Sequence, residues 1–203
     1  MRFSYARPDP DAHEVAAARA GDPRAFDILV CRHHEALGRF VRARMAPDLD
    51  ADDIVQEIFV AAWRELASFR GAARFKSWLF GIAVHYCADT ARRHRRLRAR
   101  EALLDDGTNG LPDRVLAPAG FESATVIERI ELRRGMADLS EPGRQVLELY
   151  YYGGLNLREI GNVLGVNLST LKYWFYQAHK RLRAALDAPE QPGRKATRIG
   201  ARR

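Results

Sequence analysis

Cysteine is scarce in this chain: Cys31 and Cys87 are the two thiols among 203 residues, too few for a disulfide framework, and both read as reduced and buried. No apolar run reaches transmembrane length, which argues against an integral membrane protein. The opening MRFSYARPDPDAH lacks the apolar centre of a secretory signal, so the expected compartment is the cytoplasm. No glycine-rich phosphate loop occurs, and no serine or cysteine nucleophile stands with an orienting base. An active site, a cofactor and a small-molecule substrate are therefore not expected. Cys31, His33, His34, His85 and Cys87 fit no standard zinc spacing, and helical stripes account for Cys31 and His33 as core or boundary residues, so no metal is expected. Period-two alternation and internal repeats are also lacking.

What is present is helical periodicity and positive charge. Hydrophobic residues make up 47%, enough for a core, and the length suits two small domains or one medium one. The net charge of +7 and a pI near 9.8 favour a polyanionic partner, nucleic acid ahead of membrane.

Residues 1–10 read as a loose arm, followed by a helix over Asp11 to Ala20. Gly21-Asp22-Pro23 breaks it, and Phe26, Leu29, Val30, His33, Leu37, Phe40 and Val41 mark a long amphipathic helix to about Met45. Asp50, Asp52 and Asp53 place carboxylates at the positive end of a third helix, with Val55, Phe59, Ala62 and Leu66 on one face. A fourth starts at Phe75, continues through Trp78, Leu79, Ile82, Ala83 and Tyr86, and runs into ARRHRRLRAR. Residues 101–124 are rich in proline, glycine and acids and read as an exposed tether. A second helical unit covers 125–187: a helix over Thr125 to Leu139, another opened by Ser140-Glu141-Pro142, and a closing helix pair. Residues 188–203 form a basic, disordered tail. The expected fold is all-α, two small helical domains (1–100 and 125–187) joined by a flexible linker.

The closing pair is the most informative stretch. Leu157, Ile160, Val163 and Leu164 form an apolar stripe, Gly165 suits a positive φ, Val166 plugs the angle and Asn167 can cap the next helix. Leu171, Phe175, Ala178, Leu182 and Leu186 then face inward. Ser169, Thr170, Lys172, Tyr173, Tyr176, Gln177, Lys180 and Arg181 are left outward. This is helix-turn-helix spacing, with hydroxyls, amides and cations that read base edges or grip phosphates. An ordinary antiparallel helix pair with a solvated face has the same periodicity.

Two segments carry a family resemblance. DDIVQEIFVAAWRELASFRGAARFKSWLFGIAVHYCADTARRHRR resembles the promoter-melting region of bacterial sigma factors, and LSEPGRQVLELYYYGGLNLREIGNVLGVNLSTLKYWFYQAHKRLR resembles their C-terminal helix-turn-helix region. Two such regions and a short tether resemble the extracytoplasmic-function group. The resemblance implies a non-catalytic initiation factor. Asp53, Gln56 and Glu57 would dock on the β′ clamp helices of core RNA polymerase, although a solvated helix start also explains these acids. The loop Ser68 to Lys76 and the following helix would recognise and melt the -10 element through Phe69, Arg70, Lys76, Trp78 and His85. Phe75, Trp78 and Leu79 can equally be core. His85 stands where related chains often carry asparagine, which bears on the base it reads.

Arg92, Arg93, Arg95, Arg96, Arg98 and Arg100 put six arginines into nine positions, which repel one another without a polyanion, so phosphate contacts are expected there. The helix from Leu168 would read -35 DNA. Its Tyr173-Trp174 and Gln177 depart from the family's serine-arginine pair and further arginine, and imply an altered promoter sequence or lost readout. The resemblance also implies a β-flap contact and an anti-sigma factor, often membrane-bound, that holds the chain at the inner membrane face. The rival readings are a homodimeric operator-binding regulator and a recombinase or nuclease with a helix-turn-helix tail.

Overall fold

Several helix starts in this chain are set by local side-chain chemistry, and most helices fall where the sequence places them. The computed structural model describes residues 8–104, 135–136 and 139–187, and among these it contains seven α-helices, one 3-10 turn and no strand. The first unit comprises α1 (Ala12–Arg19), α2 (Pro23–Arg44), α3 (Ala51–Glu65) and α4 (Phe75–Leu104). The second comprises α5 (Glu141–Tyr151), α6 (Leu157–Leu164) and α7 (Leu168–Asp187). The Asp22 carboxylate accepts the Arg24 N–H at 2.9 Å, with Pro23 in the first turn of α2. Asp50 caps α3 by accepting the N–H groups of Asp52 and Asp53 at 2.8 and 3.2 Å.

Three expectations are corrected. Helix α4 continues to Leu104, so residues 101–104 belong to the helix rather than to the tether. Residues 8–10 are not a loose arm, because Asp9 bonds to the start of α4. Cys31 is exposed, not buried; Cys87 is fully buried, and burial pushes its thiol up to about 12. The expected helix over Thr125 to Leu139 lies outside the described residues except for the helical Gly135 and Met136 and for Leu139, as do the rest of the tether and the tail.

The core of the first unit stacks Leu29, Leu37, Phe40 and Val41 of α2 against Val55 and Ile58 of α3 and Phe75, Leu79, Phe80 and Ala83 of α4, all fully buried. Phe40 and Phe80 meet edge to face at 5.4 Å. Each such side chain contributes about 1.5–3 kcal/mol on burial. That core does not stop at the unit boundary. Val146, Leu149, Tyr152, Leu155, Ile160 and Leu171 belong to the same buried cluster, so the second unit is seated on α4.

Gly153 permits the close approach. A Cβ there would lie 2.5 Å from the Leu149 carbonyl oxygen and 3.1 Å from Phe80 Cε1. Beside it the Arg44 guanidinium donates to the Glu148 carboxylate at 2.5 Å and to Glu141 at 3.0 Å, with Glu148 only 2% exposed. Burial pushes the Glu148 carboxyl up to about 7 against the pull of Arg44, while Glu148 and Glu141 hold Arg44 above its ordinary range despite its own burial. These directions oppose each other across one ion pair. The Glu148 carboxyl rises because it is taken out of water, with the Arg44 guanidinium donating to it and Glu141 and Arg144 contributing from its own helix.

Candidate nucleic-acid interface

The turn between α6 and α7 is built from its backbone demands. Asn156 accepts the Arg158 and Glu159 N–H groups at 3.0 and 3.1 Å, and Glu159 accepts the Asn156 N–H at 2.8 Å, a reciprocal cap that the sequence reading missed although the N-x-x-E spacing signals it. Gly165 ends α6 at φ 65°, in the left-handed region, and Val166 N–H returns to Gly161 O at 3.0 Å. Asn167 Oδ1 accepts the Thr170 N–H at 2.9 Å and starts α7. Leu171 and Ala178 turn inward as expected, with Phe175 and Leu182 half-buried; the side chain of Leu186 is outside the described set.

This leaves a polar face on α7. Ser169, Lys172, Tyr173, Tyr176, Gln177, Lys180 and Arg181 are exposed, Tyr173 and Tyr176 by 62% and 66%, and Thr170 is half-buried. None of these groups is sealed in the interior. Tyr151, whose hydroxyl lies 2.6 Å from His179 Nε2, and Tyr150, 4.9 Å from the Phe175 ring, brace α7 from behind.

On α3 the side chains of Asp53, Gln56 and Glu57 are all exposed on one face. Val60, 42% exposed, continues the same face, and its three-residue step from Glu57 was the available signal. The pattern is an acidic and amide surface with an apolar end, suited to a protein partner.

The loop ahead of α4 differs from expectation in one respect. Phe69, expected to be presented by the loop, is 6% exposed and packs against Trp78 at 5.0 Å and Phe75 at 6.2 Å. Three aromatic rings gain more by burying each other than one gains by standing in water; the core alternative holds for Phe75 and Leu79, and the expectation that Phe69 is presented to DNA is corrected. Arg70 is exposed, and Trp78 is half-buried. Trp78 and His85 line a groove of about 450 Å³ whose opposite wall includes Asn162 and Val163 of α6. Lys76 is half-buried with Nζ 3.5 Å from the Gly154 carbonyl oxygen, and burial lowers its ammonium from the ordinary range. Arg74, overlooked in the sequence, pairs with Glu159 at 3.4 Å. Both cations thus meet the second unit.

Along α4 the arginine run is unevenly compensated. Arg98 and His94 reach Asp48 at 2.6 and 2.9 Å and hold its carboxyl down at about 2, and Arg92 pairs with Asp89. Arg93, Arg95, Arg96 and Arg100 are exposed and make no salt bridge among the described residues. Their charge faces solvent. His33, one of the residues weighed for metal, is taken by Asp11, whose Oδ2 lies 2.8 Å from Nε2. No helix among the described residues is long and apolar enough to cross a membrane.

The chain is similar to known proteins along both units. The Sigma-70 region 2 model matches residues 29–97 and the Sigma-70 region 4 model residues 135–184. The RNA polymerase sigma factor CnrH of Cupriavidus metallidurans is 34% identical over 192 residues, spanning 89% of this chain and 97% of that protein. The ECF RNA polymerase sigma factor SigM of Mycobacterium tuberculosis is 34% identical over 85% of this chain and 82% of its own. The ECF RNA polymerase sigma-E factor of Escherichia coli is 31% identical over 88% and 93%. The solved structure of CnrH in complex with the cytosolic domain of CnrY superposes with a TM-score of 0.66 at 29% identity, covering 89% of this chain and 99% of that one. With both regions in order and likeness along nearly the whole length, the chain belongs to the extracytoplasmic-function sigma factors, which direct RNA polymerase to promoters.

Proposed function

We propose that this chain binds core polymerase through Asp53, Gln56 and Glu57 on the β′ clamp helices, and contacts the β flap through its second unit. It reads -35 DNA with the outward face of α7 and opens the -10 element at the start of α4. The observation that carries the reading is the exposed polar face of α7, turned outward by the left-handed Gly165. Lys172, Tyr173, Tyr176 and Gln177 contact base edges there, with glutamine suited to adenine and tyrosine to a thymine methyl; Ser169, Thr170, Lys180 and Arg181 hold phosphates. At the -10 element Arg70, Lys76, Trp78 and His85 meet the opened strand, Arg92, Arg93, Arg95 and Arg96 grip its backbone, and Phe69 supports the loop from beneath. Promoter phosphates replace Glu159 and the Gly154 carbonyl on Arg74 and Lys76, so the two units separate on the promoter. Polymerase makes the RNA, and the chain itself catalyses nothing.

The chain acts in the cytoplasm. By its likeness to CnrH, solved with the cytosolic domain of CnrY, it is held inactive by an anti-sigma factor that covers polymerase-binding surfaces. The test is to add the purified chain to core polymerase on fragmented genomic DNA and map transcript starts. New starts preceded by two shared sequence boxes are expected; an unchanged set of starts overturns the reading.

A further inference from the structure

Helix α4 begins without a local cap. The residue ahead of it is Arg74, whose guanidinium has no acceptor to offer the orphan N–H groups of the first turn. The acceptor comes from 66 residues away: Asp9 Oδ2 receives the Phe75 N–H at 2.6 Å. Its other oxygen accepts the Asp11 N–H at 3.1 Å, and its carbonyl accepts the Ala12 N–H at 3.2 Å, so Asp9 also ties the start of α1. Asp11 is 1% exposed and is gripped by Arg32 at 2.5 Å and His33 at 2.8 Å. The His33 ring rests 5.7 Å from that of Phe75. A continuous line of contacts therefore runs from the N-terminal segment to the aromatic trio under the loop. Asp9 and Asp11 both precede residues 29–97, which the region 2 model matches.

We propose that Asp9 is a positioning residue for promoter opening: by holding the first turn of α4 it fixes the loop of residues 70–74 and, behind it, Lys76 and Trp78. The inference rests on the reading of this loop as the strand-opening segment. A carboxylate at the positive end of α4 stabilises the helix start, and the link to α1 keeps that start at one height against the core. Without it the first turn frays, the loop loses its fixed end, and the groups that meet the unpaired strand no longer share one geometry. The promoter duplex then opens slowly although the polymerase is still recruited.

The experiment uses full-length chain with core polymerase on a promoter found by start-site mapping. The promoter is presented as a full duplex and again with its -10 segment already unpaired by mismatches. Asp9→Ala is expected to slow open-complex formation on the duplex about tenfold, the scale of losing one helix-capping acceptor, and less than about twofold on the mismatched template. Affinity for core polymerase stays unchanged. Asp9→Asn keeps an oxygen for the Phe75 N–H and is expected to recover at least half of the lost rate. Equal rates for Asp9→Ala and wild type on the duplex, equal losses on both templates, or an Asp9→Asn variant as slow as Asp9→Ala would each overturn the proposal. A failure of the functional reading looks different: wild type itself then starts no transcript on either template.

Discussion

Replacing Glu148 with glutamine should remove a pH dependence built into the contact between the two units. Glu148 is buried with Arg44 before it, Glu141 and Arg144 contributing from its own helix, and Cys87 and Tyr152 beside the pair. Its carboxyl stands at about 7 instead of the usual 4.5, because burial outweighs the pull of Arg44. A carboxyl raised by folding binds its proton more tightly in the native state, so the stability it contributes is fully present below about 4.5 and is lost as pH rises through about 7. At about 1.4 kcal/mol for each tenfold change in proton affinity, the loss by pH 8 is about 3 kcal/mol.

Glutamine resembles the protonated acid and carries no such penalty. Glu148→Gln should match wild type near pH 4.5 and exceed it by about 3 kcal/mol at pH 8. Arg44→Met provides the converse. It removes the pull on Glu148, but the carboxyl then protonates instead of staying charged in the interior, so the extra electrostatic cost is near zero at pH 6 and about 1–2 kcal/mol at pH 8. Urea unfolding at four pH values between 4.5 and 8, with unchanged m-values, measures both. Parallel stability profiles for wild type and Glu148→Gln would refute the reasoning.

Other outcomes follow from the same geometry. Gly153→Ala drives a Cβ into the Leu149 carbonyl and against Phe80, and should cost about 1–3 kcal/mol in urea unfolding, more than Gly165→Ala, whose strained left-handed turn costs about 1 kcal/mol with open space around it. Alanine at Arg93, Arg95 and Arg96 together should flatten the salt dependence of promoter binding by about 0.9 in slope for each phosphate no longer neutralised, read by titration at several salt concentrations. Gln177→Ala should weaken binding to the cognate -35 sequence by about 1–3 kcal/mol while leaving binding to unrelated duplex unchanged, as competition assays would show.

Periodicity and turn chemistry make most of the helices readable from the sequence. Asp50, Pro142, Gly165 and Asn167 act within a few residues of themselves, so their roles follow from local rules alone. The outward face of α7 is legible for the same reason. What escapes the sequence depends on distance. Nothing near Arg44 or Glu148 announces that they meet across 104 residues, and an arginine in the last turn of a helix looks like an ordinary complement to its dipole. Asp9 lies in a proline-flanked segment that reads as slack until α4 is seen beside it. Phe69 misleads because a loop aromatic carries the same sequence signature whether it faces solvent or folds under its neighbours.

Because Phe80 presses on Gly153 and one hydrophobic interior runs through both halves, neither half is a freely exchangeable cassette. A chimera that grafts another sigma factor's C-terminal module onto this N-terminal one inherits mismatched walls along α4 unless Gly153, Glu148 and Leu155 travel with it. Transplanting promoter specificity alone is better done on the solvent side of α7, where side chains can be rewritten without touching the seam.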